Sequence, residues 1–140
     1  MVHAIELKKY EIFQELSESQ IASLASIATA NNWMEGETVF QIGASANSLY
    51  ILKAGTVLLC FSDGRSFPIR NPGDAIGWSA LVSPFKYTAS ARCLTDVTLY
   101  RFPGSEVYGL LRMDAHLGRL LMRQIAAIME ERKPYRWPGT

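Results

Sequence analysis

The sequence predicts an α+β chain that is mainly β: a double-stranded, jelly-roll-like β-roll of about eight short strands, with helices before it and a long helix after it. Three observations predict it. Residues 32–102 are rich in β-branched and aromatic side chains and are cut into short runs by Gly36, Gly43, Gly55, Gly64, Gly73 and Gly77. The segment before them carries apolar residues at helical spacing. The segment after them carries apolar residues over a wide helical arc. The chain has 140 residues, is 49% hydrophobic and 19% charged, and has a net charge of +1, a balance that suits one domain with one core. The expected divisions are helical 5–31, roll 32–102, helical 104–132 and tail 133–140.

The first helix has an explicit start. Ser17 stands as N-cap with Gln20 three positions on, a capping box, and Leu16 and Ile21 occupy the two positions of a hydrophobic staple. Apolar residues then recur at Ile21, Leu24, Ala25 and Ala28 on one helical face. A shorter helical turn is expected around Ile5 to Phe13. The period changes after Asn31-Asn32. In the roll, Met34-Glu35-Gly36-Glu37 separates two runs, and Lys53-Ala54-Gly55-Thr56 joins Leu49–Leu52 to Val57–Phe61. Ser62-Asp63-Gly64-Arg65 holds the Asp-Gly pair of a hairpin turn with positive φ. Asn71-Pro72-Gly73-Asp74 is a turn by the same chemistry.

Ser105 is expected to cap a short helix through Leu111, and Asp114 a longer one to Arg132. In the longer helix Leu117, Leu120, Leu121, Ile125 and Ile128 form one apolar stripe, with Met122, Ala126 and Met129 beside it. A helix that apolar has two faces to bury, one on the roll and one on a second copy. A homodimer is therefore expected through Leu117, Leu121, Ile125 and Ile128. Pro134, Pro138 and Gly139 end regular structure, and the basic, aromatic run Arg132-Lys133-Pro134-Tyr135-Arg136-Trp137 reads as a solvated tail.

Several function classes are disfavoured. Cys60 and Cys93 sit in strand-like runs and read as reduced, packed thiols. With His3 and His116 the only histidines, no zinc spacing appears, so no metal and no cofactor are expected. No nucleophile elbow, phosphate loop or H-E-x-x-H motif is present; the chain is expected not to be an enzyme and to have no catalytic residues. Its near-neutral charge gives no broad nucleic-acid footprint. The apolar runs fall short of a membrane span, and MVHAIELKKYEIF breaks the pattern of a signal peptide, which points to the cytoplasm and to no membrane partner.

Three stretches carry a family resemblance. They are Met34-Glu35-Gly36-Glu37-Thr38-Val39-Phe40-Gln41-Ile42-Gly43, then Ser48-Leu49-Tyr50-Ile51-Leu52-Lys53-Ala54-Gly55-Thr56-Val57, then Pro72-Gly73-Asp74 leading to Ile76-Gly77. In this order and spacing they resemble the cyclic-nucleotide-binding domain of the catabolite activator family, of cAMP-dependent kinase regulatory subunits and of gated channels. The likeness runs from about Leu7 to Arg132 and is nearest to stand-alone bacterial forms. Members that act on DNA add a helix-turn-helix after the long helix; this chain shows none, so no DNA-binding domain is expected.

The resemblance implies a ligand pocket at the phosphate-binding cassette, Ile76 to Ser90. Its candidate residues are Ile76, Gly77, Trp78, Ser79, Ala80, Leu81, Tyr87, Thr88, Ala89 and Ser90. Gly77, Ala80, Leu81, Ala89 and Ser90 match the frame. Trp78 stands where the family has an acidic residue for the ribose hydroxyl, and Tyr87 where it has an arginine for the cyclic phosphate. A Tyr hydroxyl makes a neutral bond where a guanidinium donates twice, and an indole only donates. Each charge-assisted bond lost costs about 1.5–3 kcal/mol, roughly ten- to hundredfold in affinity. Trp78, Phe85 and Tyr87 could pack the pocket shut, remake it for a flatter and less charged ligand, or form a protein contact. The expected function is thus a regulatory or sensor domain with a small-molecule ligand that is doubtfully a cyclic nucleotide. The alternatives are an interaction or dimerisation module with a degenerate pocket, and a cyclic-nucleotide-binding regulatory protein.

Overall fold

The computed structural model describes residues 1–133. Helices α1 (Ala4–Lys8) and α2 (Glu18–Ile27), separated by a 3-10 turn at Glu11–Phe13, lead into eight strands. These are β1 (Thr29–Trp33), β2 (Thr38–Phe40), β3 (Ser48–Ala54), β4 (Val57–Cys60), β5 (Ser66–Ile69), β6 (Ala75–Ile76), β7 (Ser90–Cys93) and β8 (Val97–Pro103). A second 3-10 helix, Trp78–Leu81, follows β6; α3 (Gly104–Met113) and α4 (Ala115–Arg132) follow β8. The strands form two antiparallel sheets, ordered β1-β8-β3-β6 and β2-β7-β4-β5. The roll with helices at both ends is the architecture the residue pattern predicts.

Why the roll has two apolar layers follows from the pleat. Successive strand residues point to opposite faces. On β3, Leu49 and Ile51 join a core under the helices with Tyr100, Phe102, Leu24 and Leu121. Tyr50 and Leu52 point the other way, into a core between the sheets with Leu59, Ile69, Ile76 and Leu99. Ser48 to Leu52 are therefore all buried, with none of the in-and-out alternation of a half-solvated strand.

The capping box of α2 is present: the Ser17 hydroxyl accepts from the Gln20 amide at 3.2 Å, and Gln20 Oε1 accepts from the Ser17 amide at 2.9 Å. Asp114 caps α4 by accepting from the Leu117 amide at 3.0 Å. Two boundaries differ from expectation. Helix α2 ends at Ile27, and Asn31-Asn32 lie within β1, not at the end of a helical segment. Strand β1 is an edge of its sheet, paired with β8 from Thr29↔Arg101 to Trp33↔Val97, and that pairing outweighs the low strand preference of Asn. Ser105 is not a cap. Pro103 holds that position at φ −60, and the Gly104 amide donates to the Asn47 carbonyl at 2.8 Å, so the start of α3 is set by tertiary contact. The expected tail lies outside the described residues apart from Lys133.

Candidate functional site

The turn Asn71–Asp74 delivers the chain into β6, which pairs with β3 through Tyr50↔Ile76 and Ile51↔Ala75. Gly77 then takes φ 77, the left-handed region, and reverses the chain into the 3-10 helix Trp78–Leu81. The position has no room for a side chain: a β-carbon would lie 3.0 Å from the Ser48 carbonyl oxygen and 3.3 Å from each of the Phe40 and Tyr87 rings.

Of the cassette residues, Gly77, Trp78, Ser79, Tyr87, Thr88 and Ala89 line one cavity, together with Phe40, Leu59, Phe61 and Arg132. Ile76 and Ala80 belong to the core between the sheets, and Leu81 to the core under the helices. Ser90 sits on β7, and its hydroxyl accepts from the Ile42 amide at 2.9 Å. The cassette frame therefore splits into three parts: a cavity wall, core packing and a backbone tie.

Tyr87 is committed to structure. Its hydroxyl donates to the Ser48 carbonyl at 2.9 Å and accepts from the Ser48 amide at 3.2 Å. Its ring stacks on Phe40 with centroids 3.9 Å apart and planes 12° apart. Burial holds the phenol above its ordinary value of 10.0, so it stays a neutral donor. Ser48 is the hub of this corner, because its own hydroxyl accepts from Arg101 Nε at 2.8 Å. Phe85, exposed and at φ 62, meets Tyr108 edge-on at 6.1 Å on the outside of the cassette, away from the cavity wall.

Trp78 is half-buried, and its ring faces a residue that the sequence reading assigned to the helix end. Arg132, the last residue of α4, places its guanidinium 4.9 Å from the Trp78 ring centre and 5.9 Å from that of Phe67. Its Nη1 donates to the Ala75 carbonyl at 2.6 Å. The space left between these groups is about 30 Å3. Pockets for drug-sized ligands typically run to about 300–1,000 Å3. Sequence reasoning missed Arg132, although a signal existed. Leu117, Leu121, Ile125, Ile128 and Arg132 follow one another by four, four, three and four positions, so Arg132 continues the inward stripe.

The residues expected to meet a second copy lie on the inner side of α4. Leu117, Leu121 and Ile125 are buried in the chain's own core, and Ile128 is half-buried against it. Helix α4 packs against α3 and the 3-10 turn at Glu11–Phe13. Its outer apolar surface is the stripe of Met122 and Ala126. His116 is exposed, and its Nδ1 lies 3.1 Å from Gln20 Nε2, which also donates to Asp114 at 3.1 Å. Cys60 and Cys93 are free thiols. Among the described residues no cluster of three His, Cys, Asp or Glu could hold a metal, and no helix is long and apolar enough to cross a membrane.

Comparison with known proteins bears on this geometry. Residues 30–114 match the model of the cyclic nucleotide-binding domain. Glutaminase 2 of Bradyrhizobium diazoefficiens is 26% identical over 129 residues, covering 92% of this chain and 20% of that protein. The CRP-like cAMP-activated global transcriptional regulator of Mycobacterium tuberculosis is 33% identical over 95 residues, covering 65% of this chain and 42% of that protein. The chain thus spans well under half the length of these relatives. A solved structure from Geobacter metallireducens, named for cyclic nucleotide binding, superimposes with a TM-score of 0.85 at 28% identity, over 94% of this chain and 98% of that one. The matched segment takes in β2 to α3, the cassette and the cavity it walls, and it exceeds half of the chain: this protein belongs to the cyclic nucleotide-binding domain family.

Proposed function

We propose that this is a non-enzymatic regulatory domain whose pocket does not hold cAMP with high affinity. One observation carries the reading. At the place where the resemblance puts a phosphate-binding cation, the Tyr87 hydroxyl is spent on both backbone groups of Ser48 and lies buried. It has no free donor to offer a phosphate. The position of Trp78 under the Arg132 guanidinium supports the same reading, since an indole cannot accept from a ribose hydroxyl.

The test is a calorimetric titration of the full chain with cAMP and cGMP, with thermal unfolding beside it. A ligand at a hundred times its Kd stabilises by about 2.7 kcal/mol. No resolvable heat or shift is expected at sub-millimolar nucleotide, and micromolar affinity for either would overturn the reading. Trp78→Glu with Tyr87→Arg is expected to raise nucleotide affinity if circular dichroism shows the fold intact. An unchanged affinity in a folded double variant would mean that the cassette has been placed wrongly along Ile76 to Ser90.

A second reading has its own support: the relative in Mycobacterium tuberculosis is named as cAMP-activated, at 33% identity. On that reading the same titration returns micromolar cAMP binding.

A further inference from the structure

Arg132 is a buried cation with no counter-ion among the described residues. Its residue is 6% exposed. Among the described residues no carboxylate stands at ion-pair distance from it; the ion pairs are Lys8–Glu18, Lys53–Glu6, Arg65–Asp63 and Arg123–Glu15. Asp74 and Glu131 line, with Arg132 itself, a neighbouring cleft and attract it only from beyond that distance. Burial brings the guanidinium down to about 10, against the pull of those two carboxylates. The C-terminal end of α4 adds at most about half a negative charge. An isolated buried charge is costly unless something pairs with it.

A guanidinium has five N–H donors. One protein acceptor, the Ala75 carbonyl, takes up a donor on Nη1. The Trp78 and Phe67 rings lie against its face and accept no strong hydrogen bond. Ser79 and Thr88 line the same cavity, and no hydrogen bond of either hydroxyl to another described residue is present. The rest of the wall is Phe40, Leu59, Phe61, Gly77, Ala89 and the ring of Tyr87, whose hydroxyl is bonded to Ser48. A cation with no described counter-ion, two hydroxyl-bearing residues and a flat indole thus border one small space.

We infer that Arg132 anchors an oxyanion in this cavity, a carboxylate or phosphate group of a small molecule, with Ser79 and Thr88 as hydroxyl partners and Trp78 as a flat wall. The planar fork of a guanidinium matches both groups through paired bonds. The space of about 30 Å3 suits the anionic group alone, so the rest of the molecule lies outward along half-buried Phe61 and Trp78. Because Arg132 ends α4, occupancy is felt directly at that helix. The inference rests on the reading that the pocket is not a cyclic-nucleotide site of the family type.

The test is titration of the full chain at low ionic strength with inorganic phosphate and, separately, with benzoate, and with cAMP in parallel. At least one oxyanion is expected to saturate a single site, and Arg132→Gln to weaken it at least tenfold. Phosphate alone saturating identifies a phosphate ligand; benzoate alone identifies a carboxylate. Arg132→Met keeps the apolar stem and provides the same comparison if the Gln variant loses the fold. A merely structural arginine predicts otherwise: both variants lose thermal stability and wild type gives no heat with either anion. No saturation up to about 10 mM, an affinity too weak to be useful, overturns the inference. So does a folded variant that binds as tightly as wild type. Micromolar cAMP binding instead ends the reading of the pocket under Proposed function, whatever the oxyanion arms return.

Discussion

At the scale of single residues, Tyr87 acts as a strut. The hydroxyl joins the end of the cassette to Ser48, at the start of β3, through two hydrogen bonds, and the ring fills the space beside Phe40. Tyr87→Phe would keep the stacking and leave a buried amide and carbonyl without their partner. The expected cost is about 1–3 kcal/mol, the usual penalty for an unsatisfied buried group, read as a lower urea midpoint at unchanged slope. A midpoint that does not move would show that Ser48 finds other partners. Gly77 is the companion constraint. Its positive φ and its closeness to Ser48, Phe40 and Tyr87 make the glycine part of the same corner.

At the scale of elements, the junction of α2 with α4 carries a pH prediction. Gln20 serves both helices: Oε1 closes the capping box on Ser17, and Nε2 donates to Asp114, which caps α4. The Leu117 amide, then Gln20, holds the Asp114 carboxyl below its ordinary 3.8. A depressed carboxylate contributes stability that is present above the unfolded value and lost as pH falls through the folded one. Wild type is therefore expected to lose stability as pH drops below about 3.8, partly through Asp114. Asp114→Asn keeps a capping oxygen and removes that titration, so thermal unfolding against pH should be flatter in the variant. Equal slopes would place the acid sensitivity in other carboxylates. The same junction explains why Leu117, Leu121 and Ile125 are unavailable to a second copy: the N-terminus of α4 is pinned to α2, and its apolar stripe is drawn under the roll.

At the scale of the whole molecule, the two cores are bound into one unit by the strands they share. β3 and β8 send alternate side chains to each: Ile51 and Tyr100 to the helical side, Leu52 and Leu99 to the space between the sheets. Neither core can melt without removing a face of the same two strands. Leu24→Ala, under the helices, and Leu59→Ala, between the sheets, should each cost about 2–5 kcal/mol. Each should lower the midpoint of one cooperative denaturant transition with the slope unchanged. Two separate transitions, or loss of one core alone, would show that the layers fold independently.

The sequence by itself determined the local chemistry. Short β-branched and aromatic runs with glycine turns specified strands, the Ser17–Gln20 box and Asp114 specified helix starts, and the three stretches that carry the family resemblance could be read residue by residue. These depend on neighbours a few positions apart, so they can be read along the chain. What only the tertiary structure decided depends on residues far apart in sequence. Strand β1 claims Asn31 and Asn32 because β8 lies beside it. The stripe on α4 serves this chain's core and not a partner's, because the roll supplies the opposing surface. Arg132 enters the pocket because α4 runs far enough back over β6 for its guanidinium to reach the Ala75 carbonyl, 57 positions away in sequence. A helical pattern states which side chains share a face; what that face meets is settled only when the elements pack.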